Sequence, residues 1–150
     1  MADPQVQVII DFAIEKEQEA VDFYTDLAQS VKNAQVSEEL RKFAAIEMGH
    51  KEKLEELDLA SWTAEKPDTV VDLKIADYIV EQQPSPDMDY QDIIAIAMKR
   101  ELAAQRLYTD LARLAAGSAT EEVFRQLASE EAQHKNYFEK IWDDQILAEN

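Results

Sequence analysis

The feature that most constrains this chain is an internal repeat. A shift of 84 positions brings Tyr24-Thr25-Asp26-Leu27-Ala28 onto Tyr108-Thr109-Asp110-Leu111-Ala112. The same shift, without a gap, pairs Glu17 with Glu101, Ala20 with Ala104, Glu38 with Glu122, Arg41 with Arg125 and Ala44 with Ala128. It also pairs Glu47 with Glu131, His50 with His134 and Lys51 with Lys135. One unit has been used twice, and its duplicated apolar faces can cover each other about a pseudo-two-fold axis.

Each unit reads as a helical hairpin. Gly 2 and Pro 4 in 150 residues are too few for the many tight turns of an all-β or doubly wound fold. Asp3-Pro4 resembles a cap followed by a first helical residue. From there Ile10, Ala13, Ile14, Glu17, Ala20, Val21, Tyr24, Leu27, Ala28 and Val31 keep a helical period, predicting a first helix from about Pro4 to Asn33. Ser37, followed by Glu38 and Glu39, is the expected cap of the second. Its inner face runs Leu40, Phe43, Ala44, Glu47, His50, Leu54, Leu57, and it is expected to end before Pro67. Asp89 is the expected cap of the third helix, whose face runs from Ile94 through Glu101 and Tyr108 to Ala115, with Gly117 just past its end. Thr120, with Glu121 and Glu122, is the expected cap of the fourth, with face Phe124, Leu127, Ala128, Glu131, His134, Phe138, Ile141 and an end near Leu147. The connection from about 61 to 88 holds Pro67, Pro84 and Pro86, and its stretch Val71 to Gln82 is expected to form a short helix. Two short connections and one long crossover predict an all-α, ferritin-like four-helix bundle in a single domain spanning 1–150.

The inner faces duplicate more than apolar residues. Each half sets a lone glutamate (Glu17, Glu101) and a Glu-x-x-His (Glu47-His50, Glu131-His134) among apolar neighbours. Residues three apart on a helix share a side, so each Glu-x-x-His can grip one ion with both groups. The two motifs hold the only His 2 of the chain. Carboxylates in an apolar core cost several kcal/mol each unless compensated. No Lys or Arg lies at matching depth on these faces, and two divalent ions would match four glutamates in charge. Tyr24 and Tyr108 lie seven residues past the lone glutamates, on the same face. They either fill the core, with the hydroxyl bonded to a carboxylate, or take a redox role. Gly49, between Glu47 and His50, allows either a close helix approach or a local bulge.

Composition narrows the function further. A formal charge of −17 argues against nucleic acid and anionic membrane as partners. Cys 0 removes disulfides, thiolate catalysis and cysteine-ligated metal sites. The N-terminal residues show no basic segment and no long apolar stretch, and the longest apolar run is Ile93 to Met98, so a cytoplasmic protein is expected. The acidic outer positions Glu15, Glu19, Asp22, Glu52, Glu55 and Glu56 either are simply solvated or raise the local concentration of Fe²⁺.

Glu17 with Tyr24, Glu47 with His50, Glu101 with Tyr108 and Glu131 with His134 resemble the rubrerythrin-like branch of the ferritin-like di-iron carboxylate superfamily. The segments Asp72 to Tyr78 and Asp87 to Asp92 are similar to it as well, and the resemblance runs from about Gln5 to Ile146. It implies that Glu47 and Glu131 bridge two irons, that Glu17 and His50 complete one of them, and that Glu101 and His134 complete the other. Two departures stand out. Rubrerythrins proper carry a four-cysteine rubredoxin domain, and this chain has no cysteine, which implies an external electron donor such as a rubredoxin-like protein. They also carry an extra carboxylate near the third-helix ligand, whereas Met98, Ala104 and Gln105 flank Glu101. The ligand set is then symmetric, as in a bacterioferritin ferroxidase centre.

The expected function is reduction of hydrogen peroxide or dioxygen at a di-iron centre, in oxidative-stress defence and iron handling. Manganese and zinc also accept these ligand types. The alternatives are a ferroxidase or iron-storage protein using the same residues, and a structural acidic bundle that binds metal adventitiously. The resemblance implies a homodimer.

Overall fold

The computed structural model describes residues 4–59, 75–80, 83–85 and 88–146. It is all-α, with four long helices and no strand among the described residues, the element order of a ferritin-like bundle. The helices are α1 (Pro4–Ser30), α2 (Ala34–Glu55), α3 (Tyr90–Leu114) and α4 (Thr120–Ile141). A 3₁₀ turn occupies Ile75–Tyr78, and a π-helical turn, Trp142–Ile146, follows α4. The chain forms two compact units, Met1–Thr63 and Ala64–Asn150.

In the first unit α1 packs on α2. The faces read from the period are buried: Ile10, Ala13, Tyr24, Leu27 and Ala28 on α1, and Leu40, Phe43, Ala44 and Leu54 on α2. Phe23 is buried too, beside Tyr24 in an edge-on contact with ring centroids 5.5 Å apart. The turn between the helices differs from the sequence expectation. The first helix stops at Ser30, not Asn33, and Asn33 is the cap of α2: its side-chain oxygen accepts from the N–H groups of Gln35 and Val36 at 2.9 and 3.1 Å. Ser37 lies inside the first turn of α2, buried, and its hydroxyl donates to the Ala28 carbonyl at 2.6 Å, tying the two helices together. Leu57 lies beyond the end of α2 and is only half-buried. Gly49 continues the helix, and a Cβ there would meet nothing within 4 Å, so neither a close approach nor a bulge explains it.

In the second unit α3 packs on α4. Asp89 caps α3 as expected, accepting from Asp92 N at 2.9 Å. Gly117 takes φ +83°, the left-handed conformation that glycine reaches without a Cβ penalty. Thr120 is not a cap. It is the first residue of α4, it is buried, and Ser118 Oγ accepts from its N–H at 3.3 Å. Glu121 reaches back to accept from Gly117 N at 3.0 Å; that bond, with Arg125, holds its carboxyl below the usual range. The 3₁₀ turn is fastened to α3 by Tyr78, whose hydroxyl donates to Asp110 Oδ2 at 2.7 Å. The rest of the helix expected over 71–82 lies outside the described residues, except 79 and 80, which are not helical. Leu147, where the fourth helix was expected to end, also lies outside them, and α4 itself stops at Ile141.

No helix among the described residues is long and apolar enough to cross a membrane.

Candidate metal centre

Each hairpin carries one half-site. In the first, α1 supplies Glu17 and α2 supplies Glu47 and His50. Exposure falls to 3% for Glu17 and 1% for each of the others. Glu17 is the one charged group on the buried stripe of α1, between Ala13 and Tyr24. Glu47 and His50 stand one turn apart on α2, so both side chains leave the helix on the same side. His50 Nδ1 lies 3.5 Å from Glu17 Oε1 and 3.7 Å from Glu47 Oε1.

The second half-site repeats the first. Glu101 comes from α3, and Glu131 and His134 from α4, with exposures of 2%, 1% and 3%. His134 Nδ1 lies 3.6 Å from Glu101 Oε1 and 3.9 Å from Glu131 Oε1. In each half-site the three residues offer donor atoms that all lie within 4.8 Å of one another.

These separations suit a shared ion. They exceed the roughly 2.7–3.2 Å of a good hydrogen bond. Donors that hold one ion at about 2.1 Å stand roughly 3.0–3.5 Å from each other, close to what is seen here. Charge gives the same answer. The carboxylate and imidazole side chains buried among the described residues are four glutamates and two histidines, and no lysine or arginine is buried with them. Burying two carboxylates in each hairpin without a buried lysine or arginine is costly in a low-dielectric interior, and divalent ions would offset the charge. The mixed carboxylate–imidazole set fits iron, and manganese and zinc accept the same donors.

Tyr24 and Tyr108 are each 1% exposed and lie at matching places. Tyr24 meets Phe43 edge-on with ring centroids 5.9 Å apart, and Tyr108 stacks with Phe124 at 6.5 Å. Both rings therefore belong to the packed interior of their own unit.

The sequence reading missed one pair beside the first half-site. Lys51 Nζ donates to Gln18 Oε1 at 2.8 Å across the α1–α2 interface. Gln18 follows Glu17 and Lys51 follows His50, but helical periodicity alone does not bring these two positions together.

No curated protein and no solved structure matches the chain. The rubrerythrin family model matches residues 92–150, which include Glu101, Glu131 and His134. The same donors recur 84 positions earlier as Glu17, Glu47 and His50. The match covers the second hairpin, and with the repeat it supports a rubrerythrin-like, ferritin-like di-iron family for the chain.

Proposed function

We propose that this is a redox-active non-haem di-iron protein that reduces hydrogen peroxide or dioxygen, with electrons from an external donor such as a rubredoxin-like protein. The observation that carries the reading is the duplicated Glu–Glu–His set, six donors in two matching half-sites, none more than 3% exposed. Glu17 with His50 would hold one ion and Glu101 with His134 the other, with Glu47 and Glu131 completing the carboxylate set. Two bound irons would supply the two electrons that, with two protons, take one hydrogen peroxide to two waters.

The chain's own contribution is charge, orientation and exclusion of water. The glutamates offset the charge of the ions. Each histidine is held by the helix that also carries its partner glutamate, so the spacing of those two donors is set by the backbone. The residues of the half-sites are at most 3% exposed, so bulk water is kept from them and every charge interaction within them is strengthened. Either tyrosine, Tyr24 or Tyr108, can also orient a carboxylate or supply a proton. Replacing each by Phe keeps the packing, so an unchanged rate would reduce them to core residues.

A second reading, ferroxidase and iron storage, uses the same residues. It is favoured by the near-identity of the half-sites, 3.5 and 3.7 Å against 3.6 and 3.9 Å, and by the absence of a carboxylate at Met98, Ala104 and Gln105. The deciding experiment loads the metal-free protein anaerobically with two Fe²⁺ per chain and adds peroxide or dioxygen in turn. Faster oxidation by peroxide, with iron kept at two per chain and turnover on adding a reducing partner, supports the reductase. Iron accumulating far beyond two per chain supports the store. Bound iron that neither oxidant changes would refute both. The proposed assembly is a cytoplasmic homodimer, which sedimentation and fractionation test.

A further inference from the structure

The two half-sites share their donors but not their supports. In the first hairpin Gln18 Nε2 donates to Asp22 Oδ1 at 3.0 Å, and its Oε1 accepts from Lys51 Nζ at 2.8 Å. Asp22, Gln18 and Lys51 thus form a clamp that starts on α1 and closes on α2. Both arms spring from residues next to donors: Gln18 follows Glu17, and Lys51 follows His50. A clamp at this level resists sliding of α1 along α2, the motion that would separate Glu17 from His50.

The second hairpin has lost two of the three parts. Leu102 stands where Gln18 stands in the repeat, and Arg106 where Asp22 stands. Leucine offers no hydrogen-bond acceptor. Lys135, the equivalent of Lys51, bonds Glu139 on its own helix at 3.1 Å.

We propose that Gln18 and Lys51 are positioning residues that preorganise the first half-site, so that the ion held by Glu17 and His50 binds first and more tightly than the ion held by Glu101 and His134. The inference rests on the metal-centre reading and adds an order of filling to it. Partners that orient a metal's ligands change affinity by about 10–100-fold when removed. The donor residues match in the two hairpins and the clamp acts one residue away from them, so the expected ratio lies near the lower end, about tenfold.

With His 2 in the whole chain, the imidazoles report the half-sites one by one. The experiment titrates the metal-free protein with Co²⁺ and follows the His50 and His134 ring signals by NMR, assigned by single substitution. His50 should respond at about tenfold lower Co²⁺ than His134. Gln18→Leu, which places the repeat's own residue at the site, should abolish that lead; Lys51→Met should do the same, and Lys51→Arg, which keeps a donor, should preserve it. Leu102→Gln with Arg106→Asp should build the clamp in the second hairpin and bring His134 level with His50. Amide exchange of the metal-free protein gives an independent readout: protection near residues 17–21 and 47–51 should fall in Gln18→Leu. Simultaneous response of both rings in the unaltered protein, or a lead that survives Gln18→Leu, overturns the clamp while leaving the metal centre standing. A response from neither ring overturns the metal centre and the clamp with it.

Discussion

Replacing Glu17 by Gln should have opposite effects on stability with and without metal. The side chain is 3% exposed, and its donor oxygen lies within 4.8 Å of that of Glu47. Two ionised carboxylates at that distance repel by about 3.5 kcal/mol at an effective dielectric constant near 20. Part of that is already relieved by His50, 3.5 Å away, and by the other contacts of the carboxylate. A net gain of about 1–2 kcal/mol on removing the charge is therefore expected in the metal-free protein, a rise of roughly 2–8 °C in melting temperature for a chain of this length. With metal the order should reverse. An ion bound at 100 times its dissociation constant stabilises the native state by about 2.7 kcal/mol, and Gln, a neutral and weaker donor, forfeits much of that. Scanning calorimetry of both proteins, once in chelator and once with anaerobic Fe²⁺, reads both signs. A variant that melts below the unaltered protein in chelator, or a ranking that metal leaves unchanged, would refute the charge argument.

The two glycines should respond in opposite directions to alanine. Gly49→Ala should stabilise the metal-free protein by about 0.5–1 kcal/mol, because a helical alanine loses less backbone entropy and its Cβ meets nothing within 4 Å. Gly117→Ala should cost about 1 kcal/mol, since φ +83° is strained for any residue with a Cβ; urea unfolding of both variants checks the pair. Asn33→Ala removes the acceptor for Gln35 and Val36 N–H and should cost about 1 kcal/mol, whereas Ser37→Ala should loosen the α1–α2 turn without uncapping the helix, which amide exchange at residues 35 and 36 distinguishes. Burial, the hydrogen bond to Asp110 and the charges of Asp110 and Asp77 all raise the Tyr78 pKa above 10.0. The unfolded chain then loses this proton first, so the contribution of Tyr78 is complete below pH 10.0 and declines as pH rises towards the folded-state value. Melting curves of Tyr78→Phe should show a shallower alkaline loss of stability, and an unchanged slope would contradict the assignment.

The sequence by itself determined the helices and singled out the candidate donors. A hydrophobic period of 3.6 residues is local, and an exact offset of 84 positions carries it from one half to the other, so the buried faces of α1 to α4 could be read without coordinates. Glu17, Glu47, His50, Glu101, Glu131 and His134 stood out for the same reason, as polar residues on faces where polarity is costly unless it is used. The ends of the helices were decided by tertiary structure. Ser37 has the side chain and the acidic neighbours of a cap, yet its hydroxyl is taken by the Ala28 carbonyl on the preceding helix, and Asn33 reaches the open N–H groups instead. Thr120 likewise lost the cap position to a turn arranged by Ser118 and Gly117. The clamp of Gln18 and Lys51 was equally hidden, because the two residues are 33 positions apart on different helices. A period says which face a residue occupies. Which residue of the neighbouring helix stands opposite depends on how far one helix has slid along the other, and that is settled only when the two faces pack.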